Sequence, residues 1–377
     1  MVRCGERKES SLSDPLLDID IDPDIRRAST LPKEVYTAPA VFETARERVF
    51  ARSWQFIGDG DLVKVPGQVQ PLTLMEGTLD EPVLLTRAQD DKVYCLSNVC
   101  THRGNLLCTG AGREKSLVCG YHGRRFELDG FCRHMPEFEQ VTGFPGPKDH
   151  LSRIPFASWS RFLFASPAPA AAFERVAADM VARVGWLPLD RFVPDAAMAR
   201  DYLVRANWAL YCDNYLEGFH IPFVHASLNK ALDYGSYRTE LFEWSSLQLG
   251  IAAHGEDAFD LPKSSSDYGL NVAAYYFWLF PNTMFNFYPW GLSINVVRPL
   301  GPSLTKVSFI PYLLDASKLE RGAGAGLDRV EREDESVVEA VQRGLRSRHY
   351  ERGRYSPTRE QGVHHFHRLL ARALGTP

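Results

Sequence analysis

Two short stretches of the sequence decide its fold: Cys100-Thr-His102-Arg-Gly and Cys119-Gly-Tyr-His122-Gly. Each stretch offers one thiolate and one imidazole, and residues 103–118 separate the two pairs. Two thiolates and two imidazoles suit either a tetrahedral zinc ion or a two-iron cluster in which the cysteines hold one iron and the histidines hold the other. Zinc sites usually pair their ligands as C-x-x-C, a spacing that neither stretch has. The pattern therefore favours an iron–sulfur cluster gripped by two loops.

The sequence around these loops has the pattern of a small all-β domain, residues 59–165. Short runs of strand-forming residues alternate there with Pro-Gly, Glu-Gly and Asp-Asp turns. This alternation predicts strands at 63–65, 68–72, 82–86 and 93–96. The run Ser-Pro-Ala-Pro-Ala-Ala-Ala at 166–172 reads as a linker that ends the domain.

Two segments precede this domain. Residues 1–32 are polar and charged, with too few large apolar side chains for a core, so we predict a flexible polar tail that is either mobile or wrapped around the rest of the chain. Within residues 33–58, apolar side chains recur every three or four positions, which predicts an amphipathic helix that ends near Gly58 and packs on the second domain. The apolar stripe consists of Val41, Phe42, Ala45, Val49, Phe50 and Trp54.

Residues 173–377 form the second predicted domain and combine helix and strand patterns. The predicted helices are 173–184, most of 207–233, 327–347 and 356–374. The predicted strands are 201–206, 243–254, 272–280, 284–288, 292–299 and 305–314. This order predicts an α+β domain in which an antiparallel sheet carries helices on one side.

A second pair of histidines, His220 and His225, lies in the helical part of this domain. On an ideal helix their side chains would be offset by roughly 140°, but Gly218 and Pro222 supply a break that lets both rings turn inward. Two imidazoles with one carboxylate leave part of a metal's coordination sphere open, as in non-heme Fe(II) oxygenases. Taken alone, two such histidines are more often core or surface residues.

The composition narrows the class of protein. The 377 residues carry 43 basic and 47 acidic side chains, a net charge of −4, which argues against nucleic acid as the main partner. No apolar run reaches the roughly 18 residues of a membrane span, and no secretory signal is visible. Seven cysteines, an odd number, fit a reducing compartment, so we predict a cytoplasmic location.

The two loops resemble the cluster motif of Rieske proteins. In addition, Asp213-Asn-Tyr-Leu-Glu217-Gly-Phe-His220 with His225 resembles the catalytic motif of Rieske non-heme iron oxygenases, in particular choline and carnitine monooxygenases. The resemblance implies a [2Fe-2S] cluster on Cys100, His102, Cys119 and His122, beside a catalytic domain of helix-grip, START-like fold. It also implies a mononuclear Fe(II) on His220 and His225, with Asp213 and Glu217 as catalytic residues.

The same resemblance implies a third iron ligand within residues 330–342. We select Asp334, with Glu331, Glu333, Glu335 and Glu339 as rivals, because the helical phase is not known to within a residue. The resemblance also implies that Glu217, which stands where many ring-hydroxylating members have aspartate, links the iron site to a cluster histidine of the neighbouring subunit. It implies a homotrimer, since such a contact is head-to-tail.

The implied activity is that of a terminal oxygenase, which uses O2 as co-substrate to hydroxylate or N-dealkylate a small organic molecule. The glycines at 322–326 lack the G-x-G-x-x-G spacing, so a separate NAD(P)H-dependent reductase or ferredoxin is the implied electron donor. The aromatic run at 275–290 is either sheet core or an aromatic box for a quaternary ammonium group.

Three alternatives remain open at this stage. The substrate could instead be an aromatic, terpenoid or sterol-type compound, since the same rings would bury it. The protein could be an electron-transfer Rieske protein without oxygenase chemistry, or a zinc-stabilised binding module.

A further cluster, His364-His365-Phe-His367, has no neighbouring cysteine or carboxylate in the sequence, and we interpret its members as surface or packing histidines.

Overall fold

The small β domain holds its two candidate loops between short antiparallel sheets. The computed structural model describes residues 19–375. One sheet has the strand order Val93–Ser97, Glu81–Arg87, Gln68–Leu74, Gly112–Arg113, and another has the order Leu117–Val118, Arg125–Phe126, Cys132–His134. The strands predicted at 68–72, 82–86 and 93–96 are confirmed. The strand predicted at 63–65 is wrong, because Gly60–Val63 is a short 3-10 helix whose first turn is capped by the Asp59 carboxylate.

The helical segment before this domain is shorter than predicted. It consists of Glu34–Thr37, Pro39–Ala45 and the π-helical turn Arg46–Phe50. The helix does not continue to Gly58, because Gln55–Asp59 is a strand that pairs with Phe162–Ala165, which in turn pairs with Phe156–Trp159. These three strands close the small domain with a pairing between residues about 100 positions apart, which local periodicity cannot reveal.

Residues 19–32 wrap along the C-terminal part of the chain, which is the second of the two forms predicted for the tail. Ile21, Ala28 and Leu31 are buried, and the backbone N–H of Thr30 donates to the carbonyl of Gly353 at 3.0 Å. The few apolar side chains of this stretch pack on the C-terminal part of the chain instead of forming a core of their own. The rest of the predicted tail, residues 1–18, lies outside the described residues.

An eight-stranded antiparallel sheet forms the centre of the second domain. Its strands run, in spatial order, Val193–Pro194, Leu304–Leu313, Gly291–Gly301, Thr283–Tyr288, Val272–Leu279, Ser245–Ile251 and Arg238–Leu241, and Arg200–Val204 also pairs with Leu304–Leu313. The predicted α+β class with an antiparallel sheet is confirmed. In a flat sheet successive side chains point to opposite faces, so each strand contributes to two cores.

Helices cover both faces of this sheet, which corrects the prediction of helices on one side. The Phe173–Val184 helix packs on the face that carries Tyr275 and Phe277. Trp278 lies on the opposite face, in one core with the helices Trp208–Tyr215, Leu327–Gly344 and Gln361–Gly375. Both candidate histidines and the predicted third ligand belong to this second layer. None of the helices between residues 19 and 375 has the length and apolar composition needed to cross a membrane.

A close contact between two of these helices yields a stability prediction. An ideal Cβ at Gly362 would lie 2.3 Å from the backbone oxygen of Leu216. We expect Gly362→Ala to lower the free energy of unfolding by about 1–3 kcal/mol, because the backbones must move apart. Chemical denaturation measures this loss. The matched control is Gly344→Ala, where nothing lies within 4 Å; equal destabilisation by both variants would contradict the prediction.

Candidate metal centres

His220 and His225 approach each other because the chain changes direction between two helices. The Trp208–Tyr215 helix ends, and a single helical turn, Ile221–Val224, then begins with Pro222 near its start. The two histidines flank this turn, one as its N-cap and the other as its C-cap residue. Their Nε2 atoms consequently lie 3.1 Å apart.

Asp334 reaches the same point from the Leu327–Gly344 helix. Its Oδ1 lies 3.0 Å from Nε2 of His225 and 3.5 Å from Nε2 of His220. Neighbouring ligands of an ion bonded at about 2.1 Å have separations close to these. Within residues 19–375, His220, His225 and Asp334 form the only group of three or more metal-ligand side chains whose ligand atoms all lie within 4.8 Å of one another. The donor set and its spacing therefore fit a single iron ion.

Carboxylates hold the outward nitrogens of both rings. Glu217 Oε1 lies 2.7 Å from Nδ1 of His220, and Glu333 Oε2 lies 2.8 Å from Nδ1 of His225. Hydrogen bonds of this kind fix the orientation of a ligating histidine and leave its other nitrogen for the metal. Burial acts to lower the pKa of His225, but the carboxylates of Asp334 and Glu333 outweigh it and raise that pKa above its ordinary value. The site thus favours positive charge at its centre.

Three of the four rival carboxylates of the same helix have other contacts, Glu333, Glu339 and Glu331. Glu333 supports His225, as described, and Glu339 accepts the backbone N–H of Arg205 at 2.9 Å. Glu331 is buried and accepts a hydrogen bond from Tyr211 at 2.5 Å. Glu335 is half-buried. Once the position of His225 is known, Asp334 is the carboxylate on the helix face that turns toward its Nε2 atom.

Glu217 lies where the motif predicts and is almost fully enclosed. Besides His220, it accepts the backbone N–H groups of Phe219 and His220, the second of these at 3.0 Å. Its side chain keeps 14% of its accessible surface. Two aromatic side chains beside it are exposed to solvent, Phe219 at 42% and Phe223 at 81%.

Asp213 does not belong to this group of residues. Its carboxylate accepts hydrogen bonds from Tyr36 at 2.8 Å and pairs with Nε2 of His367 at 2.7 Å. The Tyr355 hydroxyl occupies the other nitrogen of His367 at 2.6 Å. Asp213 and Glu217 do not share a helix face, because the helix ends at Tyr215 between them. His367 is buried, and His364, also buried, lies 2.8 Å from the carbonyl of Asp22, so these histidines are packing residues and not surface ones.

The four candidate cluster residues lie together as two like pairs. The thiols of Cys100 and Cys119 are buried and interact with each other. The rings of His102 and His122 lie with their centroids 4.8 Å apart. Nδ1 of His122 is buried and has no hydrogen-bond partner among the described residues. Two sulfurs on one side and two imidazoles on the other match the ligands of a Rieske cluster, and the partnerless nitrogen is accounted for if it binds iron.

The two loops repeat the same backbone turn around these ligands. Gly104 donates to the carbonyl of Cys100 and Gly123 to that of Cys119, both at 3.0 Å, with φ angles of 71° and 72° that favour glycine. Burial acts to raise the pKa of Cys119, but N–H groups of Tyr121 and His122 outweigh it and lower that pKa below its ordinary value. The loops therefore present backbone donors to a thiolate.

A pocket opens beside His220, His225 and Asp334. Aromatic side chains dominate its wall, together with the buried carboxylate of Glu331. The aromatic lining residues are Tyr211, Tyr215, Tyr237, Tyr276, Tyr288 and Phe309. Of the aromatic side chains at 275–290, Tyr276 and Tyr288 line the pocket. Several others lie in the core on the other face of the sheet, namely Tyr275, Phe277, Phe285 and Phe287, whereas Trp278 and Trp290 are buried in neighbouring cores. Sequence reasoning missed the other aromatic lining residues, although Tyr211 and Tyr215 stand at helical spacing just before Glu217.

Two family models match the sequence over these two domains. The Rieske [2Fe-2S] domain model matches residues 53–145, and the model of the ring hydroxylating alpha subunit (catalytic domain) matches residues 180–376. The chain is 33% identical to choline monooxygenase, chloroplastic, of Arabidopsis thaliana, over 96% of this chain and 86% of that protein. It is 30% identical to the carnitine monooxygenase oxygenase subunit of Escherichia coli K12, over 93% of this chain and 95% of that protein.

Solved structures share the fold. A quaternary ammonium Rieske monooxygenase in complex with L-carnitine superposes with a TM-score of 0.73 at 24% identity, covering 94% of this chain and 98% of the other. A naphthalene 1,2-dioxygenase mutant bound to phenanthrene superposes with a TM-score of 0.69 at 16% identity, covering 93% of both chains. At these identities the superpositions concern the fold alone.

Proposed function

The chain belongs to the Rieske non-heme iron oxygenases, as a terminal oxygenase (alpha) component, and on that premise we propose that it hydroxylates or N-dealkylates a quaternary ammonium compound. A Rieske [2Fe-2S] cluster, a mononuclear iron and O2 as co-substrate follow from membership of the family. When bound, the cluster supplies electrons one at a time and the mononuclear iron activates O2.

The ligand assignments form part of this proposal. We assign Cys100, His102, Cys119 and His122 to the cluster, and the paired arrangement of their side chains supports the assignment. We assign His220, His225 and Asp334 to the mononuclear iron, supported by the spacing of their ligand atoms. Glu217 and Glu333 keep the Nδ1 atoms of the two histidines engaged, so that each Nε2 faces the centre.

The wall of the pocket is the observation that carries the choice of substrate. Five tyrosines and one phenylalanine surround the space, and among the described lining residues none is lysine or arginine. Aromatic faces attract a trimethylammonium group, and the carboxylate of Glu331, which lines the same pocket outside the group of ligand atoms, adds to that attraction when it is ionised. A neutral aromatic, terpenoid or sterol-type substrate would gain from the rings but not from the carboxylates.

Electron delivery from outside the chain belongs to the proposal as well. We propose a separate NAD(P)H-dependent reductase or ferredoxin as donor and a homotrimer in which the cluster of one subunit serves the iron site of the next. The exposed Phe219 and Phe223 beside Glu217 support a docking surface there, and Leu106 and Tyr121 are exposed on the cluster loops. The division into residues 59–165 and 173–377 and the cytoplasmic location remain predictions from the sequence.

Product formation with a surrogate reductase tests the function. We expect NADH-dependent O2 uptake to be coupled to oxidation of a quaternary ammonium compound, and not of naphthalene or a terpene of similar size. Metal analysis is expected to give about three irons per chain, two in the cluster and one mononuclear. Two irons without substrate oxidation would favour an electron-transfer protein, and zinc without iron would favour a binding module.

A further inference from the structure

Glu331 has no role among the ligands, yet it is one of the most buried carboxylates of the protein. Only 3% of its surface is accessible. Oε2 accepts the hydrogen bond from Tyr211, and Oε1 has no hydrogen-bond partner among the described residues. An isolated buried carboxylate is costly unless a positive charge or further donors accompany it. Residues 19–375 supply neither a hydrogen-bond donor nor a cation at Oε1.

The location of Glu331 connects it with the substrate space. It precedes Asp334 by three positions, which puts both side chains on one face of the Leu327–Gly344 helix. Both line the same pocket, but Glu331 lies outside the group of ligand atoms formed by His220, His225 and Asp334. Glu331 is therefore a buried carboxyl group that lines the pocket beside the metal site without belonging to its ligands.

The carboxylates around the pocket carry more negative charge than a divalent iron ion would offset. Asp334 and Glu217 would offset a divalent ion held by the two histidines, and this leaves the charge of Glu331 without a counterpart. Burial raises the pKa of Glu331 well above its ordinary value, although the Tyr211 hydroxyl acts against it, so a neighbouring cation would be needed to keep this carboxylate ionised.

We propose that Glu331 is the counter-charge for the ammonium group of the substrate, and that the pocket consequently selects a cation without a carboxylate, such as a quaternary ammonium alcohol, over a zwitterion. This inference rests on the proposed function and adds the charge class of the substrate to it. Tyr211 is a positioning residue in this arrangement, since its hydrogen bond holds Oε2 and leaves Oε1 for the ligand.

The same wall disfavours a substrate that carries its own carboxylate. Such a group would meet Glu331 and Asp334 without any lysine or arginine among the described lining residues. Two of the amide side chains are already engaged: Gln248 donates to the carbonyl of Tyr215, and Asn286 accepts from the Tyr215 hydroxyl. Two carboxylates in one pocket repel each other more strongly in a partly enclosed site than in water.

Calorimetric binding of choline and of its neutral carbon isostere, dimethylbutanol, to the iron-loaded enzyme tests the proposal without turnover. The unaltered protein is expected to bind choline more tightly than dimethylbutanol, and to bind carnitine about tenfold more weakly than choline. Glu331→Gln is expected to raise the Kd for choline about 10- to 100-fold and to change that for dimethylbutanol about twofold or less. Tyr211→Phe, which keeps the charge, is expected to cause a smaller loss.

The control is Glu335→Gln, the same change one helical turn away at a residue outside the pocket wall. Iron content and the visible spectrum of each variant establish that the protein is folded and loaded. Equal choline affinity in the unaltered protein and in Glu331→Gln would overturn the role of Glu331 and leave the proposed function standing. Absence of choline binding by the unaltered protein would overturn the quaternary ammonium substrate itself, and carnitine binding as tight as choline binding would overturn the selectivity.

Discussion

Replacement of His220 by alanine is expected to abolish product formation and leave the visible absorption of the Rieske cluster unchanged. The Nε2 atom of His220 lies 3.1 Å from that of His225, and its removal leaves two ligands where the site has three. Because loss of a supporting contact alone lowers metal affinity or activity about 10- to 100-fold, loss of a ligand should lower turnover more than about 100-fold.

Metal analysis and absorption spectra show whether the His220→Ala protein has lost the mononuclear iron and kept the cluster. The iron content is expected to fall from about three to about two per chain, since the cluster loops connect strands of other sheets than the one beside His220. His254→Ala is the matched control, because His254 is exposed and lies outside the group of ligands. Product formation at the usual rate by the His220→Ala protein would show that the assignment of this ligand is wrong.

The cluster loops and the two histidines could be predicted because their signals are local. The spacing of Cys100, His102, Cys119 and His122 names the residues directly, and the break at Pro222 explains how His220 and His225 meet. Asp334 could be separated from Glu331 and Glu333 only by the position of His225, which belongs to a different helix. A helical pattern gives the face of a helix but not the partner that the face meets.

The substrate wall could not be predicted, because it is assembled from distant segments. Tyr215 is the last residue of one helix, Tyr237 lies in a loop, and Tyr276 and Tyr288 come from paired strands. Their convergence depends on sheet order and on which face each strand turns inward, and both are long-range properties. A sequence motif can also assign a residue wrongly to a site. The motif includes Asp213, but the side chain of Asp213 contacts Tyr36 and His367 and not the iron ligands.

Glu217→Gln is expected to keep both metal centres and to slow the oxidation of the reduced cluster about 10- to 100-fold in a single turnover. Glutamine has nearly the shape of glutamate but lacks its charge, and Glu217 is the enclosed acceptor for Nδ1 of His220 at 2.7 Å. Stopped-flow absorption of the cluster, with substrate and O2 present, measures the rate. Glu333→Gln is the matched control, because Glu333 holds the other histidine in the same way.

The pair of variants separates a route for electrons from general support of the iron. If Glu217 is the link to the neighbouring subunit, Glu333→Gln weakens iron binding but leaves the cluster oxidation of the loaded enzyme close to normal. Mixed oligomers extend the test: a Cys100→Ser chain keeps its Glu217 and iron site, and a Glu217→Gln chain keeps its cluster. Since each chain supplies what the other lacks, the mixture should recover turnover that neither variant has. Mixed oligomers that form and stay inactive would contradict transfer between subunits, because a heterologous ring brings the intact cluster of one chain to the intact site of the next.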